Sequence, residues 1–227
     1  MATTPTSLVT DTAAGALGGV LAGASRVLTH LRRGPKPLHP EGEVVSGTLR
    51  RTGSAGCGVP WLESTGTDDV VVRLSRAVGL PDALPDIYGL AVRVPAGGRP
   101  ADLLLASTGL GPVTRFVLTA GRVVTSRPLT TLLPYRSPQG PLLIAARPSR
   151  PRADGVGDPL QFDLLWSLGL GRWTRFGELV VSDQVGPDPT ISFDPIENPL
   201  PDLEVYSWVR RLREPAYGAA RDESGRA

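Results

Sequence analysis

The sequence has few of the residues from which metal centres, disulfides and nucleic-acid surfaces are built. It contains one cysteine (Cys57), two histidines and one lysine (Lys36) among 227 residues. A single cysteine excludes an intrachain disulfide and favours a reducing compartment, so we expect a cytoplasmic protein. Two histidines and one cysteine are too few for the usual structural zinc sites. A net charge of +2 does not indicate a nucleic-acid partner.

Long apolar runs are also missing. The uncharged stretch between Asp11 and Arg26 has 14 residues, fewer than the roughly 20 needed to cross a bilayer. No basic segment precedes it, so we do not expect a signal peptide. Leucines and Ala24 form one stripe and glycines a second, which predicts a packing helix over residues 7–30. Membrane-surface contact of this helix is the less favoured alternative, and its glycine stripe is where we would expect any homo-oligomer to meet.

Glycine and proline, in contrast, are abundant: the 27 glycines and 23 prolines separate short apolar runs. This pattern favours an antiparallel sheet or barrel. We predict strands at 69–75, 88–94, 102–107, 115–118, 142–146 and 178–182, and a strand or helical turn at 162–166. Residues 59–62 read as a packed loop with an aromatic anchor, and 202–213 as a C-terminal helix. The predicted fold is therefore α+β and mostly β, with a helical arm at 1–34 and one barrel domain at 35–227.

One segment stands out as a candidate site. His39 lies between Pro37 and Pro40, which hold the backbone stiff and non-helical. Gly42 and Gly47 then interrupt a β-prone run, and isolated glycines in a strand indicate a bulge or the close approach of another group. A rigidly held imidazole beside such glycines suits a site over a flat cofactor.

The order of motifs resembles the catalase superfamily. The segment from His39 to Leu49 is similar to its distal-histidine segment, and Val71-Val-Arg73-Leu-Ser75 to its Val-Arg-Phe-Ser strand. Residues 86–93 resemble the strand that follows there, and Asp102-Leu-Leu the Asp-Leu segment after it. The spacing of Arg213 and Tyr217 resembles that of the haem-ligating tyrosine. Residues 120–200 show no detailed match.

The resemblance implies a catalase-like antiparallel β-barrel that binds haem b. Tyr217 would ligate the iron, and Arg213 would support its phenolate. His39 would act as general acid and base, and Ser75 would fix its tautomer. Arg73 would bind a haem propionate. Lys36 stands where the family has an arginine.

One departure shapes the predicted activity. Catalases carry an asparagine after the Asp-Leu strand, whereas this chain has Ala106-Ser107-Thr108, and Ser107 is the candidate substitute. We therefore expect action on hydrogen peroxide or organic hydroperoxides, as a peroxidase more than as a true catalase. One alternative is a non-catalytic shell that binds haem or an apolar ligand, or serves in interactions. The weakest is a hydrolase such as a phosphodiesterase, since no phosphate loop with a lysine is present.

Overall fold

A computed structural model describes residues 42–77, 84–149, 159–185 and 191–211. The predicted N-terminal helix, the boundary at residue 34, and Lys36, His39, Arg213 and Tyr217 lie outside these ranges. The described part contains ten strands and little helix. The strands are β1 Gly42–Thr52, β2 Thr65–Arg76, β3 Tyr88–Ala96, β4 Arg99–Ser107, β5 Leu129–Thr130, β6 Tyr135–Ser137, β7 Gly140–Pro148, β8 Leu160–Leu168, β9 Thr174–Val185 and β10 Glu204–Val205.

Eight of these strands close into an antiparallel barrel, in the order β1-β2-β3-β4-β5-β7-β8-β9, with β9 pairing back onto β1. β6 and β10 extend the sheet from the edge of β7. The predicted antiparallel barrel is confirmed, and residues 162–166 belong to a strand. Closure leaves no free edge in the ring, which is how all-β folds avoid exposed strand edges.

Alternation along the strands fills the barrel with apolar side chains. Leu90, Val92 and Val94 of β3 are all buried, and the residues between them are half-buried. The paired residues of neighbouring strands continue the same interior layer, because directly opposed residues share a face of the sheet. The interior is therefore a packed core.

One end of the barrel is closed by the short helix α1, Pro60–Glu63. Trp61 and Leu62 are buried, and the Trp61 ring lies 6.1 Å from that of Phe176. The Arg51 guanidinium lies 5.1 Å from the Trp61 ring and donates to the Trp61 carbonyl at 2.9 Å. The aromatic anchor predicted at residues 59–62 is therefore correct, although it sits on a helical turn.

A carboxylate secures the loop before α1. Oε1 of Glu63 accepts hydrogen bonds from the backbone N–H groups of Gly56, Cys57 and Gly58, at 2.8–2.9 Å. These bonds, with that from Gly58 the largest contribution and that from Gly56 next, lower the pKa of the Glu63 carboxyl because they stabilise its charged form. Burial raises the pKa of the Cys57 thiol in the same loop.

Gly47 allows β1 to pack closely against the neighbouring strand β9. The register between β1 and β9 shifts between Val45 and Gly47, which pair with Val185 and Val181. A Cβ at Gly47 would lie 2.9 Å from the Val180 carbonyl oxygen. Of the two features predicted as alternatives here, the close approach is present at Gly47, but the neighbour is the adjacent strand rather than a cofactor, and the extra residues of the bulge belong to β9.

Two predicted elements are wrong. Residues 115–118 are not a strand, since Thr114–Phe116 form a 3-10 turn. The buried Arg115 guanidinium donates to Ser167 Oγ and the Gly169 carbonyl, both at 2.9 Å, and lies 4.6 Å from the Trp173 ring. These contacts hold the turn against the β8–β9 hairpin, and burial lowers the pKa of Arg115.

The predicted C-terminal helix begins later than residue 202. Asp202 has φ 59°, and Glu204 and Val205 pair with Arg136 and Tyr135 of β6. Leu203 is buried in the core. Cross-strand pairing therefore overrides the helical periodicity in the first part of this segment, and its helical residues within the described ranges are 207–211.

No helix within the described ranges is long and apolar enough to span a membrane. The same ranges hold no group of three or more histidine, cysteine, aspartate or glutamate side chains arranged for a metal ion.

Candidate functional site

The candidate site is the outer face of β1–β4, which brings Arg73 and Ser75 together. The strand register arranges this face in rows across the sheet. One row contains Ser75, Gly89 and Ala106, and the next contains Val44, Arg73, Ala91 and Leu104. A third row contains Ser46, Val71, Arg93 and Asp102.

The first two rows form a surface of small and aliphatic groups with a single charge. Val44 is buried, and the other six residues of these rows are half-buried. Strands lie about 4.8 Å apart and alternate residues along a strand about 6.7 Å apart. The face is therefore roughly 14 Å across four strands. Such a surface suits an apolar molecule, and a guanidinium such as that of Arg73 is a group that pairs with carboxylates.

Ser75 and Gly89 pack closely at one edge of this face. They are direct partners in the β2–β3 register, and a Cβ at residue 89 would lie 2.6 Å from Ser75 Oγ. Gly89 therefore leaves space for the Ser75 hydroxyl in its observed position. A larger residue there would displace that hydroxyl or fill the surface beside it.

A buried ion pair borders the face in the third row. Arg93 Nε and Nη2 donate to the two carboxylate oxygens of Asp102, each at 2.7 Å. Asp102 Oδ2 also accepts from the Asp194 backbone N–H at 2.8 Å and from Asn198 Nδ2 at 2.9 Å. The hydrogen bond with Asp102, more than the attraction of its charge, raises the pKa of Arg93 against the effect of burial. This pair fastens the chain around residues 194–198 across β3 and β4, so it limits the face on that side.

The outer face of the opposite strands has a different character. There the Asp163 carboxylate lies between Arg147, at 2.8 Å, and Arg175, at 2.9 Å, and Arg175 also contacts Glu178. Burial alone would raise the pKa of Asp163, but hydrogen bonds from both arginines outweigh it and lower that pKa. Such a charged ladder suits contact with water. Of these two outer faces, the one formed by β1–β4 is the apolar one.

Ser107 does not lie with Arg73 and Ser75. Ala106 is on their face, and the next residue of β4 is directed to the other side of the sheet. The Ser107 hydroxyl donates to the Thr119 carbonyl at 2.7 Å and accepts from the Tyr88 N–H at 3.0 Å. Its hydrogen bonds tie the 108–119 loop to β3. Thr108 Oγ1 bonds likewise to Thr130 Oγ1 and to the Gly109 carbonyl.

The face has features that the sequence motifs alone did not identify. Gly89, Ala106 and the Arg93–Asp102 pair were not predicted as parts of a site. The available signal was the alternation of small residues in β3 and β4, but it becomes a surface only once the strand register is known.

Comparison with known proteins supports the fold and nothing finer. No family model and no curated protein matches the sequence. Among solved structures, a bacterial catalase matches with a TM-score of 0.58 at 11% sequence identity. The fold is catalase-like. The alignment covers 86% of this chain and 58% of the catalase chain, so this chain spans less than two thirds of that protein. At such low identity, the likeness describes the fold alone.

Proposed function

We propose that this catalase-like barrel binds haem b on the outer face of β1–β4 and acts on hydrogen peroxide or organic hydroperoxides in the cytoplasm, as a peroxidase more than as a true catalase. The observation that carries the proposal is the half-buried, mostly apolar face on which Arg73 and Ser75 lie in adjacent rows. A planar apolar ring with carboxylate substituents fits this combination of surface and charge. Haem, when bound, supplies redox chemistry with peroxides.

The chain geometry allows His39 to serve the same face. His39 precedes Gly42 by three residues, which span at most about 11 Å, and Gly42 is the direct partner of Ser75. In the proposal, His39 removes a proton from the hydroperoxide and returns it to the leaving oxygen. The Ser75 hydroxyl bonds to the imidazole and fixes its tautomer.

The remaining roles follow the resemblance in sequence. Arg73 and Lys36 bind the propionate carboxylates, Tyr217 ligates the iron, and Arg213 favours the ionised phenol. The preference for peroxidase chemistry is supported by the surroundings of Ala106. The hydroxyls of Ser107 and Thr108 are both engaged elsewhere, so neither offers the face the donor that an asparagine provides in catalases.

The apolar outer face of β1–β4 also favours a second candidate function, a barrel that binds haem or an apolar ligand without turnover. One set of experiments distinguishes haem binding from peroxide turnover. The full chain, expressed with haem supply, should show a Soret band in its visible spectrum, and Tyr217→Phe should shift or abolish it. The absence of a band in the wild type would exclude haem binding, and an unchanged band in Tyr217→Phe would exclude that ligand.

Two further variants test the face and the acid–base group. Arg73→Leu should weaken haem binding, whereas Arg50→Leu should not, because the Arg50 side chain is 66% exposed on the outer face of β1 beside Glu178. Equal effects of both variants would contradict the role of the face. His39→Ala should keep the Soret band and lose peroxide turnover. If the wild type binds haem without turnover, the second candidate function is correct.

A further inference from the structure

Two turns at one end of the barrel are held together by a single buried guanidinium. Arg115 donates hydrogen bonds to the carbonyls of residues 110 and 111 in one turn and of residues 169 and 171 in the other, at 2.9–3.3 Å. With Ser167 Oγ these acceptors number five, which equals the number of N–H groups on a guanidinium. The two turns therefore lie in contact, in an arrangement that the buried cation fixes.

Each of these turns carries an exposed aliphatic side chain. Val113 is 59% exposed and Leu170 is 49% exposed. Trp173 is half-buried beside Arg115, with its ring 4.6 Å from the guanidinium, and its Nε1 donates to the Leu110 carbonyl at 2.8 Å. A tryptophan with a satisfied N–H beside exposed aliphatic groups is typical of a surface that meets an apolar phase. We call this surface the end patch, and its residues are Leu110, Val113, Leu170, Arg172 and Trp173.

The two stretches of chain that form the end patch carry positive charge only. Residues 103–149 contain five arginines and residues 164–177 contain two, and neither stretch contains an aspartate or a glutamate. Arg172, which follows the second turn, is exposed. The carboxylates that border these stretches belong to Asp102, Asp163 and Glu178, and each contacts an arginine. The patch therefore has a positive surrounding, which attracts a negatively charged surface.

Exposed apolar turns beside positive charge fit an anionic lipid bilayer better than other partners. The boundary between headgroups and acyl chains accepts valine and leucine side chains, and anionic headgroups attract arginine. A nucleic acid would gain nothing from two aliphatic side chains, since its phosphates need cations or N–H donors and its bases stack on aromatic rings. A second copy of the chain, joined through the patch by a two-fold axis, would bring like charges together.

We propose that the end patch binds a bilayer surface that contains anionic lipids. Val113 and Leu170 enter the boundary between headgroups and acyl chains, and Trp173 lies at the same boundary. Arg172 pairs with the phosphate and carboxylate groups of the lipids. The patch uses no residue of the β1–β4 face, so membrane binding is independent of whether haem binds.

The test is co-sedimentation of the full chain with vesicles of phosphatidylcholine alone and with vesicles that also contain about 30% phosphatidylserine. We expect saturable binding to the anionic vesicles that weakens as salt is raised, and much weaker binding to the neutral ones. Val113→Ser/Leu170→Ser should lower the affinity for anionic vesicles about tenfold, because two aliphatic side chains no longer leave water. Arg172→Gln should lower that affinity about fivefold.

Matched controls change the same residue types elsewhere on the surface. Leu84→Ser/Val123→Ser alters a leucine and a valine that are 49% and 56% exposed, each two positions from the bridge between Asp86 and Gly121. Arg99→Gln removes an exposed arginine at the start of β4. Both control variants should keep the wild-type affinity for anionic vesicles.

The proposal is overturned if the anionic vesicles bind no protein, if the neutral vesicles bind equally well, or if the control variants lose as much affinity as the patch variants. It is also overturned if the wild type forms a dimer that Val113→Ser/Leu170→Ser dissociates and binds no vesicles, since the partner is then a second copy of the chain. Sedimentation velocity measures that dimer. None of these results depends on a Soret band, so they are separate from the test of haem binding.

Discussion

At the scale of single residues, two strand glycines are constrained by different neighbours. Gly47 faces the barrel interior, where an added Cβ would meet the Val180 backbone oxygen at 2.9 Å and a Val72 methyl at 3.1 Å. Gly89 lies on the candidate haem-binding face, where an added Cβ would meet Ser75 Oγ at 2.6 Å. A backbone oxygen in a paired strand cannot move cheaply, whereas a serine hydroxyl can rotate to another rotamer.

This difference predicts that the two alanine substitutions change stability by different amounts. Gly47→Ala should destabilise the protein by about 1 to 2 kcal/mol, because the cost of overpacking exceeds the gain in strand propensity. Gly89→Ala should stay within about 1 kcal/mol of the wild type, at the expense of the Ser75 hydroxyl position. Urea unfolding gives the free energies of both variants.

A double-mutant cycle then tests the contact itself. In a Ser75→Ala background the obstacle at residue 89 is gone, so Gly89→Ala should become stabilising there. Gly47→Ala should remain destabilising in the same background, because Ser75 lies on the other face of the sheet. Additive effects of Gly89→Ala and Ser75→Ala would show that the two side chains do not constrain each other.

At the scale of elements, the Arg93–Asp102 pair joins distant parts of the chain. The Asp102 side chain is fully buried and receives donors from β3 and from the segment around Asp194 and Asn198. Asp163 is a natural comparison, because it also contacts two donors but lies on the exposed outer face of β8. The same chemical group thus occupies two environments on well-separated strands of one barrel.

We predict that Asp102→Asn destabilises the protein by about 2 to 3 kcal/mol, somewhat less than a fully buried pair would lose, since Arg93 keeps partial access to water. Asp163→Asn should cost less than about 1 kcal/mol, as is usual for exposed pairs. Chemical denaturation measures both. Hydrogen exchange at the Asp102 and Asp194 amides should accelerate in Asp102→Asn alone. Similar losses in the two variants would contradict the distinction between the two environments.

Sequence patterns predict a strand or helix well when its own residues determine its conformation. The β-branched run in β2 and the alternation in β3 indicate strands without reference to the rest of the chain. The turn at Thr114–Phe116 depends on Arg115 meeting Ser167 and Gly169, which are more than 50 positions away. The strand β10 depends likewise on its pairing with β6. Neither long-range contact leaves a signal in the local pattern.

The candidate site shows the same limit. Arg73 and Ser75 are two positions apart on one strand, so the sequence predicts that they share a face. Ser107 was grouped with them by its place in the motif order. The register puts Ala106 on their face instead, and Ser107 therefore belongs to the other side. A one-residue difference in register decides which of two neighbours can reach a ligand.

At the scale of the whole molecule, barrel closure makes one core out of distant segments. β1 near the start of the described residues pairs with β9, so Leu49 stands opposite Leu179. Both are completely buried in the same cluster as Trp61 and Phe176. Removing any one strand from a closed ring exposes the interior and two strand edges at once, so partial unfolding of the ring is costly.

We therefore predict that the barrel unfolds in a single cooperative transition. Far-UV circular dichroism reports the sheet as a whole. Tryptophan fluorescence reports chiefly the closed end, where Trp61 packs on Phe176 and Trp166 donates to Ser54 Oγ at 3.2 Å. The two urea transitions should coincide in midpoint and slope. Trp208→Phe serves as a control, because it removes a half-buried fluorophore of the 207–211 helical turn and should leave the midpoint unchanged. Separate transitions would mean that the closed end and the ring are distinct cooperative units, which would contradict a single shared core.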